Sequence, residues 1–238
     1  MTTRTHALSV ATALAGAAVL LLAGCGKDAP AEPPALRFGT AQPSGNRLAA
    51  QPPSGRSLAL AQWPHGCEVL SDAEIKAIVP QAGGIKRQPV QVTVINFNPL
   101  VESDPGTTGE VPEGGCKLSF GLPDKHHDDS NSNITLTFTA VADPALVAKN
   151  YAEDLAKARK EATQYHKAFE DLGTSLGPQG CYAADLARGT LTCHQGPYEF
   201  EVSGTSTAGG VGKYPQADRN WSDKVLRQVV RTLSARMH

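Results

Sequence analysis

The chain has little charge of either sign and few aromatic rings. Charged residues make up 19% and aromatics 5% of its 238 residues, and 22 Lys+Arg stand against 23 Asp+Glu for a net charge of −1. There is therefore no basic field of the kind that dominates nucleic-acid affinity, and no acidic tail. So few rings leave little material for base-stacking platforms. Neither C-x-x-C nor H-x₃₋₅-H spacing occurs, which argues against a zinc site and against a redox thiol pair. No metal or other cofactor is expected, and no nucleic-acid partner. In place of charge the chain carries 23 Gly and 17 Pro, more than one compact domain needs. Its length allows one or two domains of about 100–200 residues.

The first residues have the layout of an export signal. Arg4 supplies a positive start, and an apolar run from Ala7 to Ala23 is broken only by Ser9, Thr12 and Gly16. That run is marginal for crossing ~30 Å of hydrocarbon. It ends in Leu22-Ala23-Gly24-Cys25, small residues before a cysteine, which resembles a bacterial lipobox. Cleavage before Cys25 and acylation of its new N-terminus are expected, so residues 1–24 are set aside from fold reasoning. Each buried methylene contributes about 0.8 kcal/mol, and lasting attachment takes more than one chain. The expected location is the cell membrane, lipid-anchored on the extracytoplasmic face.

From residue 26 to 62 the composition is rich in Pro, Ala, Gly and Ser, with Pro30, Pro33, Pro34, Pro43, Pro52 and Pro53 scattered through it. No period persists, and the segment reads as a disordered tether. A flexible coil of this length reaches ~30–36 Å on average. Within it, residues 57–61 are the one candidate for a short strand docked on the domain.

Residues 63–238 read as a single α+β domain. Ser71 and Glu74 form a capping box, with Leu70 and Ile75 at the staple positions. Asp143-Pro144 opens a second helix, with Val147, Tyr151, Leu155 and Ala158 on one face and Lys149, Glu153, Lys157 and Lys160 on the other. A third helix is expected from about Arg219 to Met237, with Trp221, Val225, Val229 and Leu233 at i, i+4 spacing. Between these the period changes to two, around Val90–Ile95, Cys116–Phe120, Ile134–Ala140 and Tyr198–Ser203. The order argues for an antiparallel sheet packed with helices. The threonine face of residues 134–140 is solvated or covered by one helix.

With Cys25 assigned to lipid, Cys67, Cys116, Cys181 and Cys193 are left, an even number in an oxidising compartment. They allow three pairings, of which Cys67–Cys116 with Cys181–Cys193 is favoured. Cys181 and Cys193 are equidistant from Ala187, in the turn signal Ala187-Arg188-Gly189, so a hairpin sets them opposite each other. Loop closure assigns such bridges ~3 and ~4 kcal/mol for the shorter and longer loops.

Three segments look like chemistry. Gly173-Thr174-Ser175-Leu176-Gly177 matches G-x-S-x-G, but a nucleophile elbow needs a helix directly after the serine, and Pro178 and Gly180 forbid one. A Gly-rich turn is the reading, with a hydrolase using Ser175 as the alternative. His126-His127-Asp128-Asp129 reads as a solvated hairpin loop, a weak surface metal site being its alternative. Gly209-Gly210-Val211-Gly212-Lys213-Tyr214 lacks the spacing and hydroxyl of a phosphate loop and reads as a flexible connection.

Leu22-Ala23-Gly24-Cys25, the Pro/Ala linker, Cys67-Glu68-Val69-Leu70-Ser71-Asp72-Ala73-Glu74, Gly115-Cys116-Lys117-Leu118, and Asp171-Leu172-Gly173 leading to Cys181-Tyr182-Ala183 together resemble a family of actinobacterial lipoproteins whose role is not established. The resemblance spans about residues 63–238 and implies an α/β/α sandwich similar to PsbP-like proteins. It brings no catalytic residues. The acidic stretch from Asn98 to Glu113 departs from the family's shorter form. The expected function is a non-enzymatic, membrane-anchored binding module whose partner is an envelope protein or small molecule. A carrier of an apolar envelope ligand is the alternative.

Overall fold

A computed structural model describes residues 35–96, 107–124, 132–184 and 189–237. The signal segment with Cys25, the His126–Asp129 loop and the Ala187-Arg188 turn lie outside the described residues. Among the described residues no helix is long and apolar enough to cross a membrane.

Seven strands form one antiparallel sheet: β1 (Gly83–Asn96), β2 (Thr107–Gly121), β3 (Ser132–Val141), β4 (Phe169–Asp171), β5 (Gly180–Ala184), β6 (Thr190–Gln195) and β7 (Tyr198–Ser203). Their spatial order is β1-β2-β3-β7-β6-β5-β4. Period-two sequence decides the faces. On β3, Ile134, Leu136 and Phe138 are fully buried while Thr135, Thr137 and Thr139 are half-buried on the other side. The register continues that split, placing Leu136 opposite both Cys116 and Val202, and Cys193 opposite both Phe200 and Cys181. The apolar face is therefore one continuous layer.

That layer is covered by the C-terminal helix, against which α1 (Asp72–Ile78) packs. In α1, Ser71 Oγ accepts from Glu74 N while a Glu74 carboxylate oxygen accepts from Ser71 N, so the expected capping box is present. The C-terminal helix starts at Gln216, earlier than the spacing suggested. It runs as α3 (Gln216–Trp221), a π turn (Ser222–Leu226) and α4 (Arg227–Ser234). Trp221, Val225, Val229 and Leu233 are all fully buried, and Trp221 Nε1 donates to Asn133 O at 3.1 Å.

The opposite face carries α2 (Pro144–Tyr165), capped by Asp143, whose side chain accepts from Ala145 N at 2.8 Å. α2 packs mainly on β4–β7, and its Val147 also meets Ala140 of β3. On β1 and β2 the residues Lys86, Gln88 and Lys117 of this polar face are exposed. The fold is α+β, with helices on both faces.

The tether expectation needs correction from residue 35 onward. Residues 35–62 do not hang free but run along the domain as a strap. Gly39 N donates to Ile78 O at 2.8 Å, and Leu48 N to Arg236 O at 2.8 Å. Leu58 N donates to Val141 O at 2.8 Å, beside a bridge between Ser57 and Ala142. Ser44 N and Gly45 N both donate to Glu74 Oε1 at 3.0 Å. Single backbone hydrogen bonds to distant groups impose no periodicity, so a Pro/Ala-rich composition hides them.

Cys67 is bonded to Cys116 and Cys181 to Cys193, with Cα–Cα distances of 4.7 and 4.1 Å. The first ties the segment before α1 to the middle of β2, and the second crosses the β5–β6 ladder. Of the acidic stretch, Glu113 pairs with His65 Nδ1 at 2.6 Å on the surface, and residues 98–106 lie outside the described residues.

Candidate functional site

Ser175 is exposed in the turn between β4 and β5. Its backbone N donates to Leu172 O at 3.1 Å, and Gly177 N to Thr174 O at 3.0 Å, closing two successive turns. Gly177 sits at φ 101°, a conformation suited to glycine. The next element is β5, not a helix, so Ser175 is not on a nucleophile elbow.

The Gly209–Tyr214 segment is pinned rather than loose. Gly209 N donates to Asp124 Oδ2 at 2.8 Å, Asn220 Nδ2 donates to Val211 O at 2.8 Å, and Val211 is buried. A carboxylate already occupies the amide a phosphate would need. The charged residues Lys149, Glu153, Lys157 and Lys160 of α2 are exposed, as a solvated face requires.

The structure brings together two groups of side chains that sequence patterns do not. The first lies beneath α2 on the polar face of the sheet. Alternation puts Glu199 and Glu201 on the outward side of β7, but α2 covers them, and Glu199 is only 3% exposed. Its Oε2 accepts from Asn150 Nδ2 at 2.9 Å and its Oε1 from Thr139 Oγ1 at 3.3 Å. Burial pushes the Glu199 carboxyl up to about 7, beyond what the Asn150 bond offsets, with Asp154 nearby adding to it. Burial also raises Glu201 and Asp154. His194 sits opposite Glu199 in the β6–β7 register, with its ring 4.3 Å from that of Tyr151. Burial lowers its pKa and leaves its Nδ1 without a partner. Among the described residues no group of three His, Cys, Asp or Glu is arranged to hold a metal ion.

The second group lines a groove of about 680 Å³ formed by Glu170, Arg219, Ser222, Asp223, Arg227 and Arg231. Glu170 comes from the edge strand β4 and the others from the C-terminal helix around its π turn. π turns interrupt helices rarely and frequently at functional sites. Arg227 Nη2 donates to Glu170 Oε2 at 2.6 Å and forms an ion pair with Asp223, whose Oδ1 lies 3.1 Å away. Arg227 Nε and Ser222 Oγ are buried without partners. In sequence, Arg219, Asp223, Arg227 and Arg231 look like one more solvated stripe at i, i+4 spacing. Only their juxtaposition with β4 makes them a concave wall.

A second concavity, of about 540 Å³, lies where the strap residues Arg47–Gln51 meet Leu58, Gln62, Pro64 and Tyr198. Burial pushes the Tyr198 hydroxyl up to about 12 despite a hydrogen bond at Ala50. Polar or charged side chains form part of the lining of both concavities.

No known family model, curated protein or solved structure matches this chain.

Proposed function

We propose that this protein is an extracytoplasmic, lipid-anchored binding module of the cell membrane, without catalysis of its own. One observation carries the reading. Of five cysteines, four are consumed in two disulfides, and the one left over is Cys25, directly after Leu22-Ala23-Gly24. Paired cysteines suit an oxidising compartment, and acylation gives the remaining thiol a role.

The strap sharpens the proposal. Because residues 35–62 are held on the domain, only the chain from Cys25 to Ala35 separates lipid from fold. That distance is at most ~33–36 Å even fully extended. The module works next to the bilayer rather than reaching far from it. It presents a groove lined by charged side chains and no elbow at Ser175, which suits recognition better than turnover.

Metabolic labelling with a palmitate analogue tests the anchor. The wild-type chain should take up label and fractionate with membranes, and Cys25→Ser should abolish both. A mature chain without lipid mass at Cys25 overturns the proposal.

A further inference from the structure

We propose that the groove between β4 and the C-terminal helix is a binding site for an elongated polyanion carrying oxyanion groups along its length, linear polyphosphate being the simplest example. This names a ligand for the binding-module reading and rests on its binding half; lipid attachment is not required for it.

The hydrogen-bond balance of the groove wall favours such a ligand. Three guanidinium groups face two carboxylates, and among the described residues both carboxylates are engaged by Arg227 alone. Among the described residues Arg219 and Arg231 have no carboxylate partner. The Arg227 Nε–H and the Ser222 hydroxyl are buried with no acceptor, in a serine that is 3% exposed. The Arg227 Nε–H is a donor lacking an acceptor, and the Ser222 hydroxyl is free to donate as well. A buried donor without a partner is costly, and guanidinium groups pair best with the planar or tetrahedral oxygens of carboxylate and phosphate. The complementary ligand is therefore rich in anionic oxygens and poor in donors.

Spacing sets its shape. Arg219 and Arg231 are separated by twelve helical steps, roughly 18 Å at 1.5 Å each, so acceptors spaced along a chain suit this wall better than a single phosphate. A ligand that satisfies Arg219, the central Ser222–Arg227 pair and Arg231 together is extended, with charges repeated along it. The groove volume falls within the ~300–1,000 Å³ range of small-molecule sites, enough for a segment of such a chain.

Binding of medium-chain polyphosphate, orthophosphate and a water-soluble short-chain phosphatidylglycerol to the purified full chain tests this, read by calorimetry at two salt concentrations. Polyphosphate should bind, more weakly at higher salt, and each single-headed anion at least about tenfold more weakly. Arg219→Gln with Arg231→Gln should weaken polyphosphate at least about tenfold. Ser222→Ala should weaken it several-fold without lowering the melting temperature, since its hydroxyl makes no bond to lose. Lys149→Gln with Lys157→Gln removes the same charge from the outer face of α2 and should leave affinity within about twofold. The proposal is overturned if polyphosphate does not bind, if either single-headed anion matches it, or if the α2 pair weakens it as much as the groove pair. None of these outcomes bears on the palmitate test of Cys25.

Discussion

Arg236 reaches across the molecule to Glu74, its Nη1 lying 3.1 Å from both carboxylate oxygens although 162 residues separate the two. Both are buried, Glu74 fully. The same carboxylate caps α1 and receives the strap amides of Ser44 and Gly45, while Arg236 Nε donates to Asn46 O at 2.8 Å. One ion pair thus joins the first helix, the last helix and the strap. Burial pushes the Glu74 carboxyl up, but hydrogen bonds from Ser71, Ser44 and Gly45 outweigh it and leave it below the ordinary range.

Removing one partner of a buried pair strands the other charge and costs on the order of 3–5 kcal/mol. Glu74→Gln should lose about that much in urea denaturation at pH 7. It should also expose the chain between residues 35 and 50 to proteases while the disulfide-linked core persists. The wild-type contribution of Glu74 is present above the ordinary carboxylate pKa and declines as pH falls through its depressed value, so the gap between the two proteins should narrow in acid.

The two disulfides should separate in their effect on stability. Non-reducing peptide mapping is expected to find the links 67–116 and 181–193 and no free thiol at any of the four positions. With sequence separations of 49 and 12, the chain-entropy model assigns ~4 kcal/mol to the first and ~3 kcal/mol to the second. Paired serine replacements at Cys67 and Cys116 should lower the urea midpoint more than those at Cys181 and Cys193. The second pair already faces itself across a two-strand ladder that holds its register without a bridge.

What the sequence made legible was local. The Ser71–Glu74 box needs three residues of spacing, and the β3 faces need a period of two. Asp143-Pro144 marks a helix start wherever it occurs. The hairpin pair Cys181 and Cys193 follows from symmetry about one turn. What stayed hidden depends on contacts between distant segments. Glu74 reads as a capping residue and gives no sign of Arg236. Residues 35–62 read as a tether because Pro and Ala are all that a strap bound by isolated amide bonds has to show. Glu199 reads as the solvated half of an alternating strand, and only the landing of α2 on β5–β7 buries it. A useful signal was present in Arg219, Arg227 and Arg231, three arginines set beside an apolar stripe, but the β4 edge that completes their groove is a three-residue strand too short to announce itself.

The buried acid under α2 makes a prediction of opposite sign to Glu74. Glu199 is raised from 4.5 to about 7, so between those values the folded protein holds a proton that the unfolded chain has released. Folding stability attributable to this group therefore falls as pH rises from about 4.5 to about 7, and the full penalty persists above. A shift of that size corresponds to roughly 3 kcal/mol. Glu199→Gln keeps an acceptor for Asn150 and a polar contact for Thr139 while removing the charge. The variant should melt at a higher temperature than the wild type at pH 8 and within a degree or two of it at pH 4.5. Melting curves across that interval decide the matter. A variant equally or less stable at pH 8 would mean that the carboxylate is solvated through an opening under α2, and that Thr139 and Asn150 do not enclose it.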